Sequence, residues 1–174
     1  MPKPTPRRSR PRRGAVTLEM IVALPVLLIA SLAIFQFGVL QILQQTATTA
    51  AVEGARAAAR EANVDNAREA AVDAVNDVFA VHGLAVSPGS GMAPTGGGVR
   101  LAVEYRQGGS LLLAEAGDSA VACETPDSPM LTDNEVRVTV CVDLTKQPLL
   151  NLLSTFGFDV LGKRLQISAL ADKE

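Results

Sequence analysis

The sequence predicts an α+β protein: a long N-terminal transmembrane and stalk helix, a second amphipathic helix, then a small, mostly antiparallel sheet. Three observations carry this. Met20 to Leu43 is an unbroken apolar run, which at about 1.5 Å per residue spans roughly 36 Å, enough to cross a bilayer with some tilt. Residues 44–82 keep apolar and small side chains at helical spacing. After residue 98 the period drops to two, most plainly at Val136, Val138, Val140 and Val142.

The chain of 174 residues has room for one small domain beside a membrane segment. Aromatic residues make up 3% and tryptophan is absent, which argues against a large, densely packed enzyme core. The net charge of −2 is unevenly divided. Lys3, Arg7, Arg8, Arg10, Arg12 and Arg13 stand without an acid in residues 1–14, and taking these six positives away leaves −8 for residues 15–174. A basic head on an acidic body fits a cytoplasmic leader and an exported domain.

Residues 1–13 hold four prolines and no apolar period, so they predict a disordered leader. An arginine-rich tract can bind nucleic acid, but a membrane helix follows at once, so the charges are better read as holding the N-terminus in the cytoplasm. Arg12-Arg13 is a poor match to a twin-arginine signal. Glu19 is the one carboxylate before Glu53, and a carboxylate at the mouth of a hydrocarbon-spanning segment is expensive to keep. Pro25 should kink the helix or loosen one hydrogen bond. Gln36 and Gln41 can hydrogen-bond to neighbouring helices or lie toward the interface. Ser31-Leu32-Ala33 offers a signal-peptidase site, against which the apolar run continues without a polar break.

From Gln44 to Glu61 the helical pattern persists. Small residues form two rows: Ala50, Gly54, Ala58 and Ala62, and Ala47, Ala51, Ala55 and Ala59. Such rows allow helices to approach closely, although alanine's helix propensity alone also accounts for them. One helix over residues 15–61 is about 70 Å long. It therefore emerges as a stalk or packs lengthwise with copies of itself. The chain divides into a leader (1–14), a transmembrane and stalk helix (15–61) and an extracytoplasmic domain (62–174).

Asn66 and Glu69 read as a capping box for a second helix over about 65–82. Val64, Ala67, Ala71, Val75, Val78 and Phe79 fall on its apolar stripe, and Gly83 ends it. His82, the only histidine, is expected at the surface or as a cap. Residues 87–98 read as a flexible connector without a phosphate-loop lysine. Strands are expected over 99–106, from 111–114, over 136–144 and over 161–171. Residues 116–132 have no clear period. A short amphipathic turn over LLNLLSTFGF, after Pro148, caps the sheet or touches the membrane. Cys123 and Cys141 lie on the exported side, where disulfides are permitted, as a loop-closing bond or as two separate thiols. Cys141 falls on the face opposite the valines.

Gly14, four residues, then Glu19 heading an apolar helix is similar to the class-III prepilin pattern of type IV pilin-like proteins. The longer layout resembles the TadE-like family of tight-adherence (Flp) pilus assembly proteins: an anchor, an Ala-Arg extension (Gly54-Ala-Arg-Ala-Ala-Ala-Arg60), a strand-rich domain, the run from Val136 to Leu153 and the closing Leu165 to Glu174. The resemblance implies that a prepilin peptidase cuts after Gly14, making Ala15 the new N-terminus and Glu19 the fifth mature residue. It implies other pilins or pseudopilins, an assembly platform and the lipid bilayer as partners. It also implies a bacterial inner-membrane location with the N-terminus cytoplasmic, or incorporation in a pilus. Nucleic acid is not an expected partner.

Catalysis needs a positioned acid, base or nucleophile. The sequence has no Gly-x-Ser-x-Gly, no His-Glu-x-x-His and no clustered metal ligands, so neither an enzyme nor a cofactor or metal is expected. Asp127, Asp133 and Glu135 miss the spacing of a calcium loop. The competing reading is an exported single-pass binding module, or a secreted protein, unrelated to pili. An incomplete sheet completed by another protein also fits the uncertain middle strand.

Overall fold

In the computed structural model, residues 13–87, 98–127, 130–146 and 164–173 are described. The leader before Arg13, most of the connector and the LLNLLSTFGF segment lie outside them.

The first helix, α1, runs without interruption over Arg13–Ala59 and passes through Pro25. Hydroxyls along it are satisfied one turn back: Ser31 donates to the Leu27 carbonyl at 2.8 Å and Thr46 to that of Ile42 at 2.9 Å, as is usual inside helices. The second helix, α2, covers Val64–Phe79 and tightens into a 3₁₀ turn over Ala80–His82. Gly83 follows in the left-handed region at φ 65°, a conformation that glycine adopts without steric cost.

The cap of α2 differs from the expected one. Asn63 is the N-cap, and its side chain accepts the Asn66 N–H at 2.9 Å. Both asparagines are chemically able to cap. The chain turns sharply after α1, and the extended backbone that an N-cap requires falls on Asn63 (φ −141°, ψ 159°).

Four strands follow: β1 (Val99–Gln107), β2 (Ser110–Gly117), β3 (Glu135–Asp143) and β4 (Arg164–Asp172). They form one antiparallel sheet in the order β2-β1-β3-β4. β2 extends three residues beyond the Leu111–Ala114 start read from the sequence. Across the sheet, Ala114, Val103, Val138 and Ala169 stand side by side, as do Leu112, Tyr105, Val136 and Ala171. This face carries both helices, with α1 over β3 and β4 and α2 over β1 and β2.

The core lies between the layers. Val99, Leu101 and Val103 of β1 and all four valines of β3 share one core with Ala67, Ala71, Val72, Val75 and Phe79 of α2 and the buried alanines of α1. Val72 is a core residue that the stripe read from the sequence leaves out. Tyr105 donates its hydroxyl to the Glu61 carbonyl at 2.9 Å, pinning the turn that follows α1 to the sheet.

The opposite sheet face is covered as well. After β2, residues 118–127 and 130–134 lie across this face as a strap between β2 and β3. Arg100 donates to the Val121 carbonyl at 3.0 Å, Arg106 to that of Leu131 at 2.7 Å, and Arg137 to that of Pro126. A disulfide joins Cys123 of the strap to Cys141 of β3, with Cα atoms 5.5 Å apart. Under the strap, Arg137 and Glu104 form an ion pair at 3.1 Å with both side chains nearly fully buried. Losing either partner of such a pair strands a charge.

Candidate functional site

Because α1 begins at Arg13, the Gly14–Ala15 bond and Glu19 lie on one helical stretch. Four residues separate Ala15 from Glu19, about one turn, so the two positions share a helix face. The Glu19 side chain is exposed. From Met20 the surface turns apolar: Met20, Ile21, Val22, Leu24, Val26 and Leu27 are each at least 60% exposed. The helix from Glu19 is long and apolar enough to cross a membrane. An apolar cylinder of this kind has no favourable place in water. Gln36, on one stripe with Leu43 and Ala47, is 6% exposed.

At Leu43 the environment of the helix changes. Ala47, Ala50, Ala51, Ala55 and Ala58 have no exposed surface, and Ala59 has almost none. The small residues singled out for helix packing thus pack inside this chain, against α2 and the sheet, and are not a surface offered to another copy. Gly54 marks the tightest point. A Cβ there would sit 2.9 Å from Val75 Cγ2 of α2 and 3.4 Å from Val138 Cγ1 of β3, so only glycine lets α1 approach both layers. Ala62, the last of its row, lies beyond the helix and is exposed. The stalk and the domain are therefore not separate bodies: residues 43–59 of α1 are part of the domain's core.

A cleft of about 440 Å³ lies under the strap, lined by Glu104, Arg106, Leu111, Pro126, Met130 and Arg137 among others. Its charges face each other. Arg137 pairs with Glu104, and Arg106 Nε lies 3.2 Å from Asp133. Glu135 accepts the Thr132 N–H at 2.8 Å. That backbone hydrogen bond, and a further one from the Thr132 side chain, hold its carboxyl below the usual range. Lys173 lies 3.6 Å from the centre of the Tyr105 ring, and burial lowers its ammonium's pKa against the pull of Asp133. Among the described residues, no group of three or more His, Cys, Asp or Glu is placed to hold a metal ion.

Sequence reasoning missed the strap and its buried ion pair. The only signal was the charge on the second face of β1 and β3, at Arg100, Glu104 and Arg137, which alternation presents as a solvated face.

Among the described residues one helix is long and apolar enough to span a membrane, and its far half is built into a small α+β domain. Residues 14–56 match the family model of TadE-like protein. The match begins at Gly14, takes in Glu19 and the whole apolar run, and ends within α1. No curated protein and no solved structure matches the chain. The family match and the membrane-capable helix together fit a pilus-associated membrane protein with pilus-related protein partners.

Proposed function

We propose that this chain is a pseudopilin-like protein of Flp-type pilus assembly, cut after Gly14 by a prepilin peptidase and acting through helix packing and protein contacts, without catalysis of its own. The observation that carries this reading is the family match starting at Gly14, the residue a pilin-type peptidase would leave as the last of the leader. The chemistry is consistent with it. Glycine leaves the scissile backbone unobstructed where the helix meets the cytoplasmic face. Cleavage frees an α-amine on Ala15 with a pKa near 8, cationic at neutral pH. That amine, on the same chain or on a neighbour, supplies the counter-charge that Glu19 needs at the edge of the hydrocarbon. Between subunits the pair also fixes the register of one helix against the next.

The burial of Ala47 to Ala59 within the chain restricts where partners engage. Contacts with other pilins, pseudopilins or the assembly platform fall on the exposed half of α1 and on the outer surfaces of the domain. The N-terminus lies in the cytoplasm, the anchor in the bacterial inner membrane, and the domain outside it.

Mass spectrometry of the membrane-extracted chain tests the processing step. A mature N-terminus at Ala15 is expected, and Glu19→Gln is expected to impair maturation or assembly. An intact Met1, or a start near Ile34, overturns the reading in favour of plain anchoring or secretion.

A further inference from the structure

We propose that the tip of α2 is a bilayer-docking surface, so that the domain rests on the phospholipid headgroups beside its own anchor. This rests on α1 spanning the membrane, and it adds a second point of contact.

The geometry starts at Thr46. α2 packs along α1 and returns toward the anchor, so that His82 Nε2 lies 3.0 Å from Thr46 Oγ1. The Thr46 hydroxyl also lies 2.9 Å from the Ile42 carbonyl, so the contact ties the end of α2 to α1 one turn beyond Ile42. Thr46 lies three residues beyond Leu43, where the apolar run ends, a rise of about 4.5 Å. The 3₁₀ turn is therefore held at the level where α1 leaves the hydrocarbon.

The turn has the composition of an interfacial element. Residues 78–86 (VFAVHGLAV) contain no ionisable side chain except His82. Val81 is 84% exposed, second only to Met130 among the large hydrophobic residues described in the domain. Elsewhere in α2 the exposed positions are polar: Asp77 and Asp73 stand one and two turns further from the membrane, with their carboxylates in water. The strand ends at this side suit the same surface. Asn76 clamps Val86 at 2.7 and 3.0 Å, and Val86 abuts Gly117 beside the start of β1. Val99 of β1 stands opposite Val142, next to Asp143 and Arg164. Exposed Arg164 puts a cation at phosphate level, where long basic side chains are favoured. The Asp143 carboxylate is taken up by Thr145, at 2.6 and 2.9 Å. A bilayer is the occupant because this surface is continuous with the membrane-spanning part of α1.

The chain has no tryptophan, so a single introduced one reports its own depth. Three variants of the full chain, reconstituted in vesicles of phosphatidylethanolamine and phosphatidylglycerol with acyl chains brominated near the headgroup, separate the outcomes. Phe35→Trp reports the anchor. Val81→Trp reports the tip of α2. Met130→Trp, on an 86% exposed residue beside Leu131 at the Tyr105–Glu61 end of the domain, reports the far side, about 22 Å further along the helix axis. Emission of Val81→Trp should be blue-shifted and quenched about two-fold or more, as for a side chain at the headgroup boundary, while Met130→Trp stays red-shifted and unquenched. Quenching of Phe35→Trp with none at Val81→Trp overturns the docking surface and leaves the anchor intact. Quenching at neither overturns the anchor and the docking with it. Equal quenching at Val81 and Met130 overturns the upright orientation.

Discussion

The two halves of α1 belong to one continuous helix and are both almost free of charge, yet they meet opposite fates. From Met20 to Phe37 most of the large side chains are exposed, Ile34 at 75%, and Val39 and Leu40 are the first to lean on the core. From Leu43 to Ala59 the inward face disappears beneath α2, β3 and β4. Side-chain size separates them. Leucine, isoleucine and phenylalanine give a wide surface suited to lipid tails. Alanine and glycine give a narrow one that other backbones can approach closely. One helix therefore carries a membrane-capable stretch and a core element in tandem.

The largest expected effect comes from making the halves alike. Gly54→Leu drives a side chain into Val75 and Val138, and overpacking at a site this tight should cost about 3 kcal/mol. Gly38 has nothing within 4 Å of its Cβ position. Gly38→Leu should thus leave the domain's stability within about 0.5 kcal/mol of the parent. Tyr105 is the chain's only tyrosine and is 4% exposed, so its emission during urea unfolding in micelles reports the domain alone. Equal losses in the two variants would show that the anchor and the domain share one cooperative unit.

A smaller effect is expected on the other face of the sheet. Replacing both Cys123 and Cys141 by serine opens an 18-residue separation, for which loop closure alone gives about 3 kcal/mol. The strap is also held by Arg100, Arg106 and Arg137, which limits the freedom it gains, so a loss of about 2 kcal/mol is expected. Retention in the membrane fraction should not change. A variant that leaves the membrane would show that the strap also supports the anchor.

Much of this was legible in the sequence because it is periodic. The apolar run, the 3.6-residue stripe of α2 and the alternation of β3 each repeat a local signal. The β1 and β4 spans also appear within a few residues. The strap was not legible: residues 116–132 have no period, and their fixing points, Arg100, Arg137 and Gln166, lie on three different strands. The rows of alanine were visible, but a row of small residues says only that something comes close. That the neighbour is the chain's own α2 follows from the turn at Asn63, a tertiary fact. Gly14, Ala15 and Glu19 were singled out by spacing and resemblance, and the processing proposed for them is chemistry that no packing pattern encodes.

The smallest effect concerns that turn. Asn63 Oδ1 accepts the Asn66 N–H at the point where α1 ends and α2 folds back along it. Asn63→Ala removes an acceptor from a helix N-terminus that has unpaired donors, at a cost of about 1 kcal/mol. The loss should appear in the Tyr105 unfolding transition, because Tyr105 binds the Glu61 carbonyl two residues away. Asn63→Asp preserves the acceptor and adds a charge that favours a helix N-terminus, so it should match or exceed the parent in stability. Asn66→Ala, at the cap position suggested by the Asn66–Glu69 pair, should cost less than Asn63→Ala. If the order of the two alanine variants is reversed, the chain turns one helical turn later, and the domain half of α1 is longer than the burial of Ala47 to Ala59 implies.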